Sequence, residues 1–148
     1  MIKESYSLEL NISVNPEQVF KAITKDIDKW WTEFSNTIDQ AGDILKVQFE
    51  ESTSWVMSVV DYSPNHSLVW EVTNAHHDLQ NLTKKDEWKG TSIKWSIEEN
   101  NKGSKVTLIH DGLVPGLECY DICASGWSYF LNSLKEYLET GRGNPFAR

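Results

Sequence analysis

The segment LECYDICASGWSYFLNSLKEYLE, residues 117–139, decides the fold of this chain. At about 1.5 Å per residue, a helix over this segment is about 34 Å long, roughly the width of a small domain. Gly141 follows where a helix commonly ends in a left-handed residue. A long helix with an aromatic stripe needs a wide partner, and we expect a sheet to cover it. The apolar residues recur in steps of three and four, which predicts one helical stripe: Tyr120, Cys123, Trp127, Phe130, Leu131, Leu134 and Leu138.

The rest of the chain supplies the strands of that sheet. Residues 6–14 alternate between apolar and polar, which predicts a half-buried strand. Asn15 and Pro16 then begin a short helix, and a second helical turn runs through Trp30 and Trp31. Apolar residues do not recur at regular spacing in residues 74–86, and we therefore predict a polar loop there. Five further strands are predicted, at about 45–49, 55–60, 68–72, 93–97 and 106–110.

This order predicts an α+β fold, in which a curved antiparallel sheet of about six strands grips the long C-terminal helix. Two short helices follow the first strand. Short turns between successive strands favour antiparallel pairing. We expect one domain over residues 1–148. Side chains either fill the space between helix and sheet completely or leave a pocket there.

Composition narrows the classes of partner. The net charge of −8 and the absence of a basic cluster argue against nucleic acid as a partner, because phosphate binding needs grouped Lys and Arg. No stretch approaches the ~20 apolar residues of a membrane span, and the N-terminus lacks the apolar core of a signal peptide. We therefore expect a cytoplasmic protein that does not bind membranes. The sequence leaves the oligomeric state open.

This element order resembles the START-like helix-grip superfamily, and in particular the branch related to the activator of heat-shock-protein-90 ATPase. The resemblance covers nearly the whole chain and implies a curved sheet over an apolar cavity. Members of such families bind or act on small hydrophobic molecules, and a few are enzymes. The last of the matching stretches is the most specific: NISVNPEQVFKAIT (11–24), the Trp30-Trp31 pair, YSPNHSLVWEV (62–72), and TLIHDGL (107–113) followed by GWSYFLNSLKEYLETGRGNPF (126–146).

Histidine and cysteine are the first residues to test for chemistry. Alternation places His110 on the core-facing side of its strand. Three roles are open for it there: a hydrogen-bonded core residue, a polar anchor in a ligand pocket, or a general base. His76 and His77 are neighbours on an extended chain and point apart, so we expect no shared metal there. Cys119 and Cys123 do not have CxxC spacing, so buried thiols are favoured over a redox or metal pair. We expect no metal and no cofactor.

No catalytic motif is recognisable in the sequence. The G-x-S-x-G, S-x-x-K, G-x-G-x-x-G and P-loop patterns are all missing. Nothing fixes two carboxylates at a working separation, although Glu71, Asp111 and Glu118 are candidates. We therefore assign no catalytic residue.

The seven Trp residues carry the remaining signal. Trp30 and Trp31 differ by about 100° on a helical turn, so we expect one in the core and the other at a pocket mouth or on the surface. Trp55 shares a strand face with Met57 and is a further possibility for the lining. Our candidates for a cavity lining are Trp30, Trp31, Met57, Trp70, Trp95, His110, Trp127, Phe130 and Leu131.

Three functions follow as hypotheses. The favoured one is non-enzymatic binding of a small hydrophobic molecule in a cavity between the sheet and the C-terminal helix. The alternative is a regulator of a chaperone or another protein partner, which would need an apolar patch on the outer face of the sheet, with Val56, Val60 and Val69 as candidates. A second alternative is an enzyme using the same cavity, such as a hydrolase or a polyketide cyclase-like protein.

Overall fold

In the part of the chain that the structure describes, seven antiparallel strands form one sheet in the order β1-β7-β6-β5-β4-β3-β2, and three helices lie against it. The computed structural model describes residues 5–49, 53–78 and 82–147. None of the described helices is long and apolar enough to cross a membrane. The elements are β1 (Tyr6–Ile12), α1 (Pro16–Thr24), α2 (Ile27–Trp30), β2 (Phe34–Ser35), β3 (Ile44–Gln48), β4 (Ser54–Ser63), β5 (Ser67–His76), β6 (Ser92–Asn100), β7 (Gly103–Asp111) and α3 (Tyr120–Thr140).

The α+β class, the antiparallel sheet and the two short helices after β1 are confirmed. Asn15 caps α1 as predicted, since its side-chain oxygen accepts a hydrogen bond from the Gln18 backbone N–H at 2.9 Å. Pro16 occupies the first turn of α1. The alternating strands bury the expected faces, including Leu68, Trp70 and Val72 on β5.

Two predictions about the strands need correction. The sheet has seven strands and not six, because β2 is only two residues long, too short to produce an alternating pattern. The predicted polar loop 74–86 begins too early, since β5 continues to His76 and pairs there with Ser54. Within the described part of that segment, Ala75 and Leu82 are buried; residues 79–81 lie outside the description.

The long helix α3 starts three residues later than predicted. Leu117 instead begins a turn, in which its carbonyl accepts a hydrogen bond from the Tyr120 N–H at 3.2 Å. Cys119 is the N-cap residue of the helix. The end of the helix agrees with the prediction: Gly141 has φ of +87° and donates its N–H to Tyr137 O.

Curvature of the sheet comes mainly from β4. The pairing of β4 with β5 shifts register between Val56 and Met57 and again between Val59 and Asp61. Such bulges bend a strand and increase its twist. The curled sheet can therefore wrap around α3, whose buried face includes Trp127, Leu131 and Leu134.

The turn between β6 and β7 gives a stability prediction. Gly103 has φ of +145°, and a Cβ at this position would collide with the backbone between Ile12 and Val14. We expect Gly103→Ala to lower the free energy of unfolding by at least about 2 kcal/mol, from backbone strain and the collision together. Urea denaturation measures the change.

The matched control is Gly116→Ala, because a Cβ at Gly116 has open space around it. That variant should stay within about 0.5 kcal/mol of the unchanged protein. Equal effects of the two substitutions would contradict the close approach of β1 to the turn.

Candidate functional site

A cavity of about 240 Å³ lies between α3 and the concave side of the sheet. Of the twelve described residues that line it, seven are Trp or Phe, so this part of the wall is mostly apolar. Exposed Ile122 belongs to the lining, so the cavity reaches the surface beside α3. The lining residues are Trp31, Phe49, Thr53, Trp55, His77, Trp88, Ile122, Cys123, Gly126, Trp127, Phe130 and Phe146.

Helix α3 supplies one wall through residues spaced as on a single helical face. Cys123, Gly126, Trp127 and Phe130 follow at steps of three, one and three residues, which places them on adjacent turns. Two of these four side chains are small. The space of the cavity therefore lies where the helix carries Cys123 and Gly126 instead of large apolar residues.

Trp88 and Trp55 form a second part of the wall, next to α3. Their ring centroids are 4.6 Å apart, and Trp88 also stacks nearly parallel to Trp127 at 5.7 Å. The Trp88 indole N–H donates to the Cys123 sulfur at 3.2 Å, which fixes the ring against α3. Trp55 comes from β4, where it shares the buried face with Met57 as the alternation predicts.

The C-terminal tail closes one side of the cavity. Phe146 donates its backbone N–H to Trp31 O and accepts from the Glu33 N–H, both at 2.9 Å, so the tail runs beside the segment after α2. Its ring packs against Phe49 at 5.6 Å. Gly143 permits the approach, because a Cβ there would collide with Lys29 O.

The adjacent residues Trp30 and Trp31 are both buried, at 0% and 3% exposure. Trp30 belongs to the core, where its indole N–H donates to Ala22 O at 2.8 Å. Trp31 lines the cavity. Neither ring lies at the surface, because the tail and α3 cover Trp31.

The residues expected to line a cavity separate into two groups. Trp31, Trp127 and Phe130 line it. The other six are buried in the packed core and are not among the lining residues: Trp30, Met57, Trp70, Trp95, His110 and Leu131.

His110 is fully buried and hydrogen-bonded at both ring nitrogens. Its Nδ1 accepts from the Trp127 indole N–H at 3.0 Å, and its Nε2 lies 2.8 Å from Thr91 Oγ1. The Thr91 hydroxyl itself donates to Trp88 O at 2.5 Å, so its oxygen is left to accept from His110 Nε2–H. This pattern fits a neutral imidazole. Burial lowers the pKa of His110 from 6.5 to about 3, against a smaller opposite effect of Asp111.

The two cysteines lie at the start of α3, beside the cavity. Hydrogen bonding from the Cys123 thiol, assisted by His77, lowers the pKa of Cys119, although burial acts in the opposite direction. The hydrogen bond from the Cys123 thiol to Cys119, together with burial, raises the pKa of Cys123. The N-terminus of α3 also favours a negative charge on Cys119, its N-cap residue.

Sequence reasoning missed most of the lining. The sequence feature that indicated Trp55 is the strand face that it shares with Met57. The feature that could have indicated Phe146 is its apolar side chain in an otherwise polar tail. Cys123 belongs to the apolar stripe of the long helix, but nothing local distinguishes a lining residue from a core residue there. The residues that sequence reasoning did not name as lining are Phe49, Thr53, His77, Trp88, Ile122, Cys123, Gly126 and Phe146.

Comparison with known proteins gives one family and a common fold. The family model described as "Activator of Hsp90 ATPase homolog 1-like protein" matches residues 13–139. No curated protein sequence matches the chain. The solution structure of the Aha1 dimer from Colwellia psychrerythraea is 26% identical, covers 97% of this chain and 100% of its own, and has a TM-score of 0.77.

Two crystal structures share the fold at lower identity. A protein from Mesorhizobium loti is 19% identical over 91% of this chain and 96% of its own, with a TM-score of 0.76. A protein from Staphylococcus saprophyticus is 21% identical over 94% of this chain and 95% of its own, with a TM-score of 0.67. At these identities the likeness supports the fold alone.

The neutral His110 gives a prediction about acid stability. Its folded pKa lies below its unfolded pKa of about 6.5, so its contribution is fully present above that pH and declines as the pH falls toward 3. Between pH 7 and pH 4.5 we expect this one group to remove about 2–3 kcal/mol from the free energy of unfolding.

The control is His110→Gln, which has no titrating ring. This variant is expected to start less stable at pH 7 but to lose less stability on acidification. Urea denaturation of both proteins at both pH values isolates the difference from the effects of other groups. An identical decline in the two proteins would exclude His110 as the titrating group.

Proposed function

The chain belongs to the family of activator of Hsp90 ATPase homolog 1-like proteins, and we propose that its cavity binds a small aromatic or otherwise apolar molecule. The observation that carries this proposal is the lining itself. Trp and Phe surround the space on three sides, from β4, from α3 and from the C-terminal tail. Ligand sites in proteins are typically apolar with a few polar groups.

The volume limits the size of the ligand. An engineered apolar cavity of about 150 Å³ binds benzene, and typical ligand pockets begin near 300 Å³. At about 240 Å³, this cavity suits a molecule of one or two rings. Flat aromatic molecules can pack against the Trp and Phe rings that line the cavity.

Polar groups at the wall favour a ligand with one hydrogen-bond acceptor. Trp55 is a lining residue, and its buried indole N–H has no hydrogen-bond partner among the described residues. A buried donor without a partner is unfavourable by about 1–3 kcal/mol. A carbonyl or hydroxyl oxygen on the ligand that reached Trp55 Nε1 would remove this cost.

The partner-regulator alternative has weaker support from the surface. The candidate patch on the outer face of the sheet is interrupted, since Ser58 lies between Val56 and Val60 on β4 and pairs with charged Glu71 on β5. Val69 faces Lys94 on β6. A mixed surface of this kind is ordinary for a folded protein.

The enzyme alternative is not favoured by the position of His110. Both ring nitrogens already take part in hydrogen bonds, and the ring does not line the cavity. A general base must lie within hydrogen-bond reach of the proton that it removes. His110 is therefore not positioned to act as a general base on a ligand in the cavity, and binding without reaction is the favoured proposal.

We expect 1-indanone to bind in the cavity and indane, the same skeleton without an acceptor, to bind more weakly. Titration followed by ¹H–¹⁵N spectra reports on each of the seven indole N–H groups. The Trp55 signal should shift with 1-indanone and saturate. Trp55→Phe should abolish the preference for 1-indanone while leaving indane binding in place.

A pair of leucine variants tests the location of the site. A Cβ at Gly126 has open space, so Gly126→Leu should fill the cavity and weaken binding of both probes at least about tenfold. Ser125→Leu adds the same side chain to the exposed neighbouring position and should leave binding unchanged. No saturable shift with either probe, or equal binding by the two variants, would refute the proposal.

A further inference from the structure

Three metal-binding side chains meet at the edge of the cavity. His77 follows β5, Cys119 caps α3, and Cys123 lies one turn further along that helix. One ring nitrogen of His77 and the two cysteine sulfurs all lie within 4.8 Å of one another. Both sulfurs belong to buried residues.

We propose that His77, Cys119 and Cys123 bind a single Zn²⁺ ion or a similar thiophilic cation. Thiolate and imidazole are the ligands that Zn²⁺ prefers. Tetrahedral geometry with Zn–S of about 2.3 Å and Zn–N of about 2.0–2.1 Å places ligand atoms about 3.5–3.8 Å apart. The three atoms lie within 4.8 Å of one another, so they need to approach by at most about 1.3 Å, which side-chain rotation can supply.

Hydrogen bonds fix the backbone around the three side chains. The His77 backbone N–H donates to Lys85 O at 2.6 Å, which joins the end of β5 to the loop 82–91. Glu87 accepts from the backbone N–H groups of Glu118 and Cys119, both at 3.1 Å. Partners of this kind orient metal ligands and sustain affinity.

A second carboxylate completes the connection between this loop and α3. Glu118 accepts from the Thr83 hydroxyl and from the backbone N–H of Lys84, both at 2.7 Å. The Trp88 indole N–H holds the Cys123 sulfur from the cavity side. The site is therefore built from three segments that converge, and the exposed neighbour His76 takes no part in it.

The positions of the ligands relate the metal to the cavity. His77 and Cys123 line the cavity, whereas Cys119 faces the smaller depression that Lys84, Lys85 and Glu87 border. With three protein ligands, a tetrahedral ion keeps a fourth position for water or another donor. The proposal stands independently of the cavity's ligand, because metal uptake can be measured without one.

Cobalt titration of the reduced, chelator-treated protein tests the proposal directly. We expect one equivalent of Co²⁺ to produce a thiolate-to-metal charge-transfer band, and one equivalent of Zn²⁺ to displace it. Zn²⁺ at about 100 times its Kd should raise the midpoint of thermal unfolding by about 5 °C or more.

Single substitutions of the three ligands should each weaken metal binding. Cys119→Ser, Cys123→Ser and His77→Ala are expected to lower Zn²⁺ affinity by at least about tenfold, the smallest effect typical of losing even an indirect partner of a metal. His76→Ala, one residue away, should bind as the unchanged protein does. Circular dichroism identifies any variant that fails to fold, and the remaining two then carry the test.

Two results would overturn the proposal. One is a protein with both thiols reactive toward a thiol reagent that takes up neither Co²⁺ nor Zn²⁺. The other is an affinity that His76→Ala lowers as much as His77→Ala does, which would assign the metal to the exposed histidine pair.

Discussion

The stacking of Trp31 is the contact on which the interior depends. Its indole lies nearly parallel to Trp30 and to Trp70, at 5.8 and 5.9 Å between ring centroids, and contacts Trp127 of α3 at 5.2 Å. One residue thus joins α2, the sheet and the long helix. It also divides the interior, because the core is filled on the side of Trp30 and Trp70 while the other side borders the cavity.

His110 shows how polar groups are accommodated beside these rings. An unpaired imidazole in such surroundings would be unfavourable, but the Trp127 indole N–H and the Thr91 hydroxyl occupy both of its nitrogens. The same hydrogen bonds fix the Trp127 ring, which is a wall of the cavity. A residue outside the cavity therefore helps to determine its shape.

Local patterns in the sequence predicted the elements, because alternation and helical spacing record which face of each element is buried. They could not separate Trp70, which fills the core, from Trp55, which lines the cavity, since both lie on buried strand faces. That difference depends on contacts between distant segments, such as the tail that runs beside Trp31. His77 and the two cysteines likewise meet only through folding, from positions more than 40 residues apart.

The C-terminal half of α3 packs in the core and the N-terminal half borders the cavity, and the size of the side chains explains this difference. Toward the C-terminus, Leu131 and Leu134 fill the core, and Ser133 Oγ donates to Trp30 O at 2.8 Å, which anchors the helix to α2. Toward the N-terminus, Cys123 and Gly126 occupy the corresponding stripe and leave space. The anchored half can hold the helix in position while the other half remains unfilled. A cavity is thus compatible with a stable fold, because Leu131, Ser133 and Leu134 fix α3 outside it.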